Sequence, residues 1–161
     1  MNNRKIIESN AVIVFNRTVK ASELNELLEG FCGDVVITKK LIVDKEVDIS
    51  VNLYVIGGIT RKSPLVEERI NIDGDLYSYG EVHCNDINVS GTFYSEKVVY
   101  SGAIKVGEHL LCDDKIDAYN CDVIVAGDIE CYGIMARKVY YLGKTDIQGK
   151  ISVLECMKSV C

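Results

Sequence analysis

Residues 70–86 read Ile-Asn-Ile-Asp-Gly-Asp-Leu-Tyr-Ser-Tyr-Gly-Glu-Val-His-Cys-Asn-Asp, and residues 87–103 read Ile-Asn-Val-Ser-Gly-Thr-Phe-Tyr-Ser-Glu-Lys-Val-Val-Tyr-Ser-Gly-Ala. The two stretches share one plan. An apolar pair with one residue between its members comes first, a glycine follows two positions later, and short alternating segments fill the rest. The pair recurs at Leu53/Val55, Ile70/Ile72, Ile87/Val89, Ile104/Val106, Val123/Val125 and Tyr140/Leu142, in steps of 17, 17, 17, 19 and 17 residues, with Leu41/Val43 one shorter step of 12 before it. Period-two alternation inside a fixed longer period is the pattern of stacked β-coils.

Within residues 70–86, Ile70, Ile72, Leu76, Ser78, Val82 and Cys84 are expected to point inward from three short strands. The next unit places Ile87, Val89, Phe93, Ser95 and Val98 inward, and a later one Val123, Val125, Ile129, Cys131, Ile134 and Ala136. Gly57, Gly74, Gly91 and Gly127 each follow the apolar pair by two and are read as structural corners, where positive φ or the lack of a Cβ is required. Glu108 and Lys144 stand in that place in two units, each one residue after a glycine, which implies shifted corners there. Small inward residues align as ladders, Ser78, Ser95, Cys112 and Cys131 in one and Cys84, Ala118 and Ala136 in another. The spacing predicts an all-β chain, a parallel β-helix (β-solenoid) of triangular coils of about 17 residues, about 34 Å long for seven rungs.

Residues 1–33 differ in character. Ala11 to Phe15 reads as a strand and Ala21 to Glu29 as a helix, with Ser22 as its cap, Leu24, Leu27 and Leu28 on one face and Gly30 as its stop. This segment is expected to cover the first coil, with residues 34–161 forming the solenoid and both parts making one domain. Pro64, in the stretch Arg61–Glu68, marks a loop, and the apolar tail from Val153 to Cys161 is expected to fold over the last coil or meet a second copy.

The units resemble those of the bactofilins, bacterial polymer-forming cytoskeletal proteins whose repeat runs apolar-x-apolar-x-Gly-Asp-apolar. Ile70-Asn71-Ile72-Asp73-Gly74-Asp75-Leu76 and Val123-Ile124-Val125-Ala126-Gly127-Asp128-Ile129 fit it, and Ile87-Asn88-Val89-Ser90-Gly91-Thr92-Phe93 fits without the aspartate. The resemblance covers about residues 41–153 and implies a right-handed β-helix that self-associates. That family carries flexible tails around a core that stacks end to end. A helical cover at residues 21–29 blocks stacking at that end, so a monomer or dimer is expected over a filament.

The chain has 161 residues, 48% of them hydrophobic, and a formal net charge of −6. An acidic surface does not displace counterions from phosphates, so direct nucleic-acid binding is not expected, nor is charge-driven attachment to a membrane. No apolar run reaches the roughly 20 residues of a membrane span. Seven cysteines without an export signal fit reduced thiols in the cytoplasm.

Candidate chemistry is sparse. His109 and Cys112, with Cys121 and Cys131 one coil away, are a weak metal set lacking a paired-cysteine motif, and Cys112 and Cys131 are better explained as small inward ladder residues. Acidic residues recur near corners at Asp73, Asp75, Asp113, Asp114, Asp117, Asp128 and Glu130. They suit a solvated anionic face, and carboxylate-based glycoside chemistry would need longer coils and a cleft. Tyr77 and Tyr94 fall outward one coil apart, with Tyr132 nearby, and aromatic residues of this kind dominate interfaces. The expected interaction surface is therefore Tyr77, Tyr94, Tyr132, Asp75, Asp128 and Glu130. No catalytic residue and no cofactor is expected.

The function expected is a non-enzymatic interaction or structural scaffold whose partner is a protein, copies of itself included. The alternatives are a small acidic inhibitor from a phage or other mobile element, acting on a basic nucleic-acid-binding enzyme, and a carbohydrate-active or metal-binding enzyme.

Overall fold

The computed structural model describes residues 11–63 and 68–158, the last three as backbone. The chain winds as a β-solenoid of about eight turns, with three faces per turn. The first coil holds β1 (Val12–Phe15), β2 (Val19–Lys20) and α1 (Ala21–Leu27). The second holds β3 (Asp34–Ile37), β4 (Leu41–Val43) and β5 (Val47–Ile49). The third holds β6 (Asn52–Val55), β7 (Ile59–Arg61) and β8 (Arg69–Ile72), and the fourth β9 (Leu76–Ser78), β10 (Val82–His83) and β11 (Asp86–Val89). The fifth holds β12 (Phe93–Ser95), β13 (Val99–Tyr100) and β14 (Ile104–Val106). Higher up, strands run around corners. β15 (Leu110–Asp117) follows two faces and β16 (Asp122–Val125) the third. β17 (Ile129–Tyr141) follows all three, and β18 (Thr145–Ile147) with β19 (Ile151–Lys158) makes the eighth coil.

Each strand pairs in parallel with its counterpart one coil away. On the first face the inward register runs Leu53, Leu76, Phe93, Leu110, Ile129, and on the third it runs Val47, Ile70, Ile87, Ile104, Val123, Val139. All of these residues are buried, so apolar side chains stack on apolar along these two columns. The ladder Ser78, Ser95, Cys112, Cys131 lies in this register as expected, and Ser78 and Ser95 satisfy their hydroxyls on the carbonyls of Gly80 and Lys97 at 2.9 and 2.8 Å.

The structure corrects the early part of the repeat series. Leu53/Val55 lies on the first face and Leu41/Val43 on the second, whereas Ile70/Ile72, Ile87/Val89, Ile104/Val106 and Val123/Val125 lie on the third, where the coil-mates of Val123 and Val125 are Val139 and Tyr141 rather than Tyr140 and Leu142. The coil-mate of Ile70 is Val47, 23 residues earlier, because the third coil lengthens between β7 and β8. The 17-residue step from Leu53 to Ile70 therefore runs within one coil. Val99 rather than Val98 points inward, in register with Val82. Pro64 lies outside the described residues. Residues 153–158 of the tail do not fold over the last coil, since β19 pairs in register with β17 and forms two faces of that coil, and residues 159–161 lie outside the described residues.

Gly74, Gly91, Glu108, Gly127 and Gly143 form the corner column between the third and first faces, linked by N–H···O bonds of 2.7–3.0 Å for the upper four. Glu108 thus holds the glycine register, and so does Gly143, two residues after Tyr141, so neither corner is shifted. Gly57 lies at the next corner, between first and second faces, above Lys39 and below Gly80. At Gly74 both reasons for glycine apply, since φ is +149° and a Cβ would collide with the Val51 carbonyl of the coil below.

The helix takes the place of a strand on the third face of the first coil. Leu24 and Leu28 are buried while Leu27 is 51% exposed, so the apolar face is narrower than the heptad spacing implies. Ser22 does not cap. Its N–H and hydroxyl both donate to Asp44 in the coil above, at 2.9 and 2.8 Å, and Lys20 occupies the cap position. Burial raises the Asp44 pKa, but these two bonds outweigh it and leave the carboxyl below its ordinary value. Asn25 stands in for a peptide unit. Its amide donates to the Glu46 carbonyl at 2.7 Å and accepts the Asp48 N–H at 3.3 Å, closing the edge of β5 as a neighbouring strand would. Gly30 ends the segment with φ of +72°.

Val89 is fully buried at the centre of the stack, and Asn88 beside it points outward. Val89→Asp is expected to destabilise the fold by about 4 kcal/mol, through a buried unpaired charge, and Asn88→Asp by less than about 0.5 kcal/mol. Urea unfolding of the two variants beside the parent measures the difference.

Candidate interaction surface

The first face carries a continuous outward column. Val36, Tyr54, Tyr77, Tyr94 and Leu111 occupy equivalent positions on five successive coils, a stripe about 19 Å long at the parallel-strand spacing. The rings of Tyr54 and Tyr77 stack at 4.7 Å and 5°, and Tyr94 tilts against Tyr77 at 6.4 Å. Tyr79, at the corner, meets Tyr94 edge-on at 6.0 Å. Tyr54 was not among the expected residues. Once Leu53 is placed on the first face, Tyr54 follows as the outward residue next to it. Tyr132 is 54% exposed but stands at a corner two coils above Tyr94 and makes no ring contact with the column among the described residues. Glu130 continues the column above Leu111 and ends its apolar character.

The phenols are held by carboxylates. The Tyr94 hydroxyl donates to Asp113 at 2.7 Å, and that bond, aided by burial, pushes its pKa up to about 12. Tyr77 donates to Asp75 at 3.4 Å, and burial first, then the nearby carboxylate, raises its pKa as well.

The corner acids have a structural task. Where the backbone bends, its N–H turns away from the ladder and needs another acceptor. A side chain from the coil below supplies it. Asn52 accepts the Asp75 N–H at 3.0 Å, Asp75 accepts the Thr92 N–H at 2.8 Å, His109 Nδ1 accepts the Asp128 N–H at 3.0 Å, and Asp128 accepts the Lys144 N–H at 2.6 Å. Ser90 links two coils from the other side, reaching down to accept the Gly74 N–H and donate to Asp73 at 2.9 Å each. Asp75 and Asp128 are therefore tied to the backbone, and of the three acids expected on the interaction surface Glu130 is the exposed one.

The weak metal set is dispersed. His109 is an outward corner residue engaged with Asp128, Cys112 and Cys131 are stacked in the core, and Cys121 sits at another corner of the sixth coil. Among the described residues, no group of three or more His, Cys, Asp or Glu side chains is gathered to hold a metal ion. Burial raises the thiol pKa values of Cys84 and Cys112 to about 12 and of Cys131 to about 11. No helix among the described residues is long and apolar enough to cross a membrane. No protein-family model, curated protein or solved structure matches the chain.

Two measurements check this surface. In the native protein an alkylating reagent is expected to modify exposed Cys32 and to spare Cys84, Cys112 and Cys131 until denaturant is added, as read by peptide mass mapping. Because the folded Tyr94 pKa lies above the ordinary value near 10, its hydrogen bond contributes stability in full below about pH 10 and loses it as the pH rises toward 12. Asp113→Asn is expected to flatten that alkaline loss, measured as urea midpoints between pH 8 and pH 11.

Proposed function

We propose that this chain is a non-enzymatic scaffold in which a rigid β-solenoid presents an aromatic stripe to a protein partner, and that the first such partner is a second copy of itself. The observation that carries this reading is the in-register column of Val36, Tyr54, Tyr77, Tyr94 and Leu111. Aromatic residues backed by a stiff core lose little conformational freedom on docking, which makes them efficient contact residues. A straight stripe is also self-complementary under a two-fold axis, the usual symmetry of homodimers.

Kinship with the bactofilins belongs to this proposal. Its support is the corner motif at residues 70–76 and 123–129, whose glycines stand in one corner column. The helix that closes β5 favours a discrete assembly over end-to-end growth. A cytoplasmic setting fits the five described cysteines, all unpaired.

Light scattering over a concentration series tests the reading. The parent is expected to form a dimer that dissociates on dilution. A Tyr77→Ser, Tyr94→Ser variant is expected to be monomeric at concentrations where the parent is paired, with its far-ultraviolet circular dichroism unchanged. A parent that stays monomeric, species that grow without limit, or a dimer indifferent to both substitutions overturns it.

A further inference from the structure

The corner between the second and third faces is not smooth. Its fourth and fifth coils turn at Asn85 and at Gly102, which presents no side chain, while the sixth turns through a longer loop at Tyr119 and Asn120. The result is an open, shallow depression of about 420 Å³ lined by Arg61, Cys84, Asn85, Asp86, Gly102 and Tyr119. Its size suits a small molecule of roughly nucleotide dimensions.

The walls have distinct chemistry. Arg61 Nη1 donates to Asn85 Oδ1 at 2.9 Å, which fixes the guanidinium at the lower end and leaves its other N–H groups to face an anion. Asp86 accepts the Ala103 N–H at 2.9 Å and lies 3.7 Å from Arg69. Lys40 lines a second depression that shares Arg61, together with Glu81 and His83, so among the described residues Arg61 is the one cation that faces both depressions and it has acidic neighbours in each. At the upper end Tyr119 is 48% exposed and stacks at 6.2 Å on Tyr100, which stacks at 4.7 Å on His83. Tyr119 and Asn120 both have left-handed backbones, with φ of 45° and 61°. A tyrosine pays a steric cost there that asparagine largely avoids.

The geometry points to a binding site for a small molecule that joins a phosphate or carboxylate to a flat ring, the anion on Arg61 and the ring against Tyr119. Arg61 reaches the level of the fourth coil and the Tyr119 ring leans toward the fifth, so the two are separated by about one to two coil spacings, or 5–10 Å. That span matches a base and its 5′-phosphate. Guanidinium forks recognise such anions, and exposed aromatic rings stack on any flat heterocycle. This site lies on a different corner from the tyrosine stripe and is independent of the scaffold reading.

Isothermal titration calorimetry of the full chain with AMP, 4-hydroxybenzoate, adenosine and inorganic phosphate tests the inference. AMP or 4-hydroxybenzoate is expected to bind more tightly than adenosine or phosphate alone, and which of the two binds identifies the anion as phosphate or carboxylate. Arg61→Gln keeps a donor for Asn85 and removes the charge, and it is expected to weaken binding about tenfold or more. Tyr119→Asn relieves the backbone strain, so it is expected to melt at the same or a higher temperature while binding weakens by a similar factor. If neither ring-bearing anion binds, or if binding survives both substitutions, the site assignment fails.

Discussion

The structure depends on one constraint, that each coil sits directly over its neighbour with inward residue on inward residue. In a parallel stack the backbone ladder and the side-chain register are locked together, because a slip of one position turns every inward residue outward. Leu76 beneath Phe93, Ile87 beneath Ile104 and Val123 beneath Val139 are therefore consequences of the same alignment that pairs their amides. The outward tyrosines inherit it. Tyr54, Tyr77 and Tyr94 form a column because Leu53, Leu76 and Phe93 do. The surface that defines the proposed function is thus an image of the core.

Corners are where that alignment is weakest, and the chain meets the difficulty with side chains. Asn52, Asp75, His109 and Asp128 each accept a backbone N–H from the coil above. Asp75 and Asp128 owe their place to this task, at positions where a short carboxylate or amide reaches the neighbouring turn. A reading of those acids as a nucleic-acid mimic draws no separate support from Asp75 and Asp128, since their geometry already has a local cause.

The fold was legible because the regular coils between Ile70 and Val125 keep nearly constant length, so periodicity and burial coincide. It misled where the third coil lengthens. There the 17-residue step from Leu53 to Ile70 joins two different faces, and Tyr54 was overlooked with it. The tyrosine pair at 77 and 94 could be read from the repeat, whereas Tyr132 could not be placed, because the distance of a corner residue from a face depends on three-dimensional path rather than spacing. The roles of Asn25 and Asp44 were invisible for a related reason. Each acts on a residue about 22 positions away, across a junction of helix and strand that no repeat describes.

The amide of Asn25 has a consequence for how such a rod can change its length. Because the third face of the sheet is terminated at its base by a helix bonded to the second coil, the terminator is indifferent to how many turns stand above that coil. Duplicating one regular unit in the middle would extend the rod by a single storey and leave the foundation untouched. Length is then a freely adjustable trait of this architecture, set by gene duplication rather than by redesign.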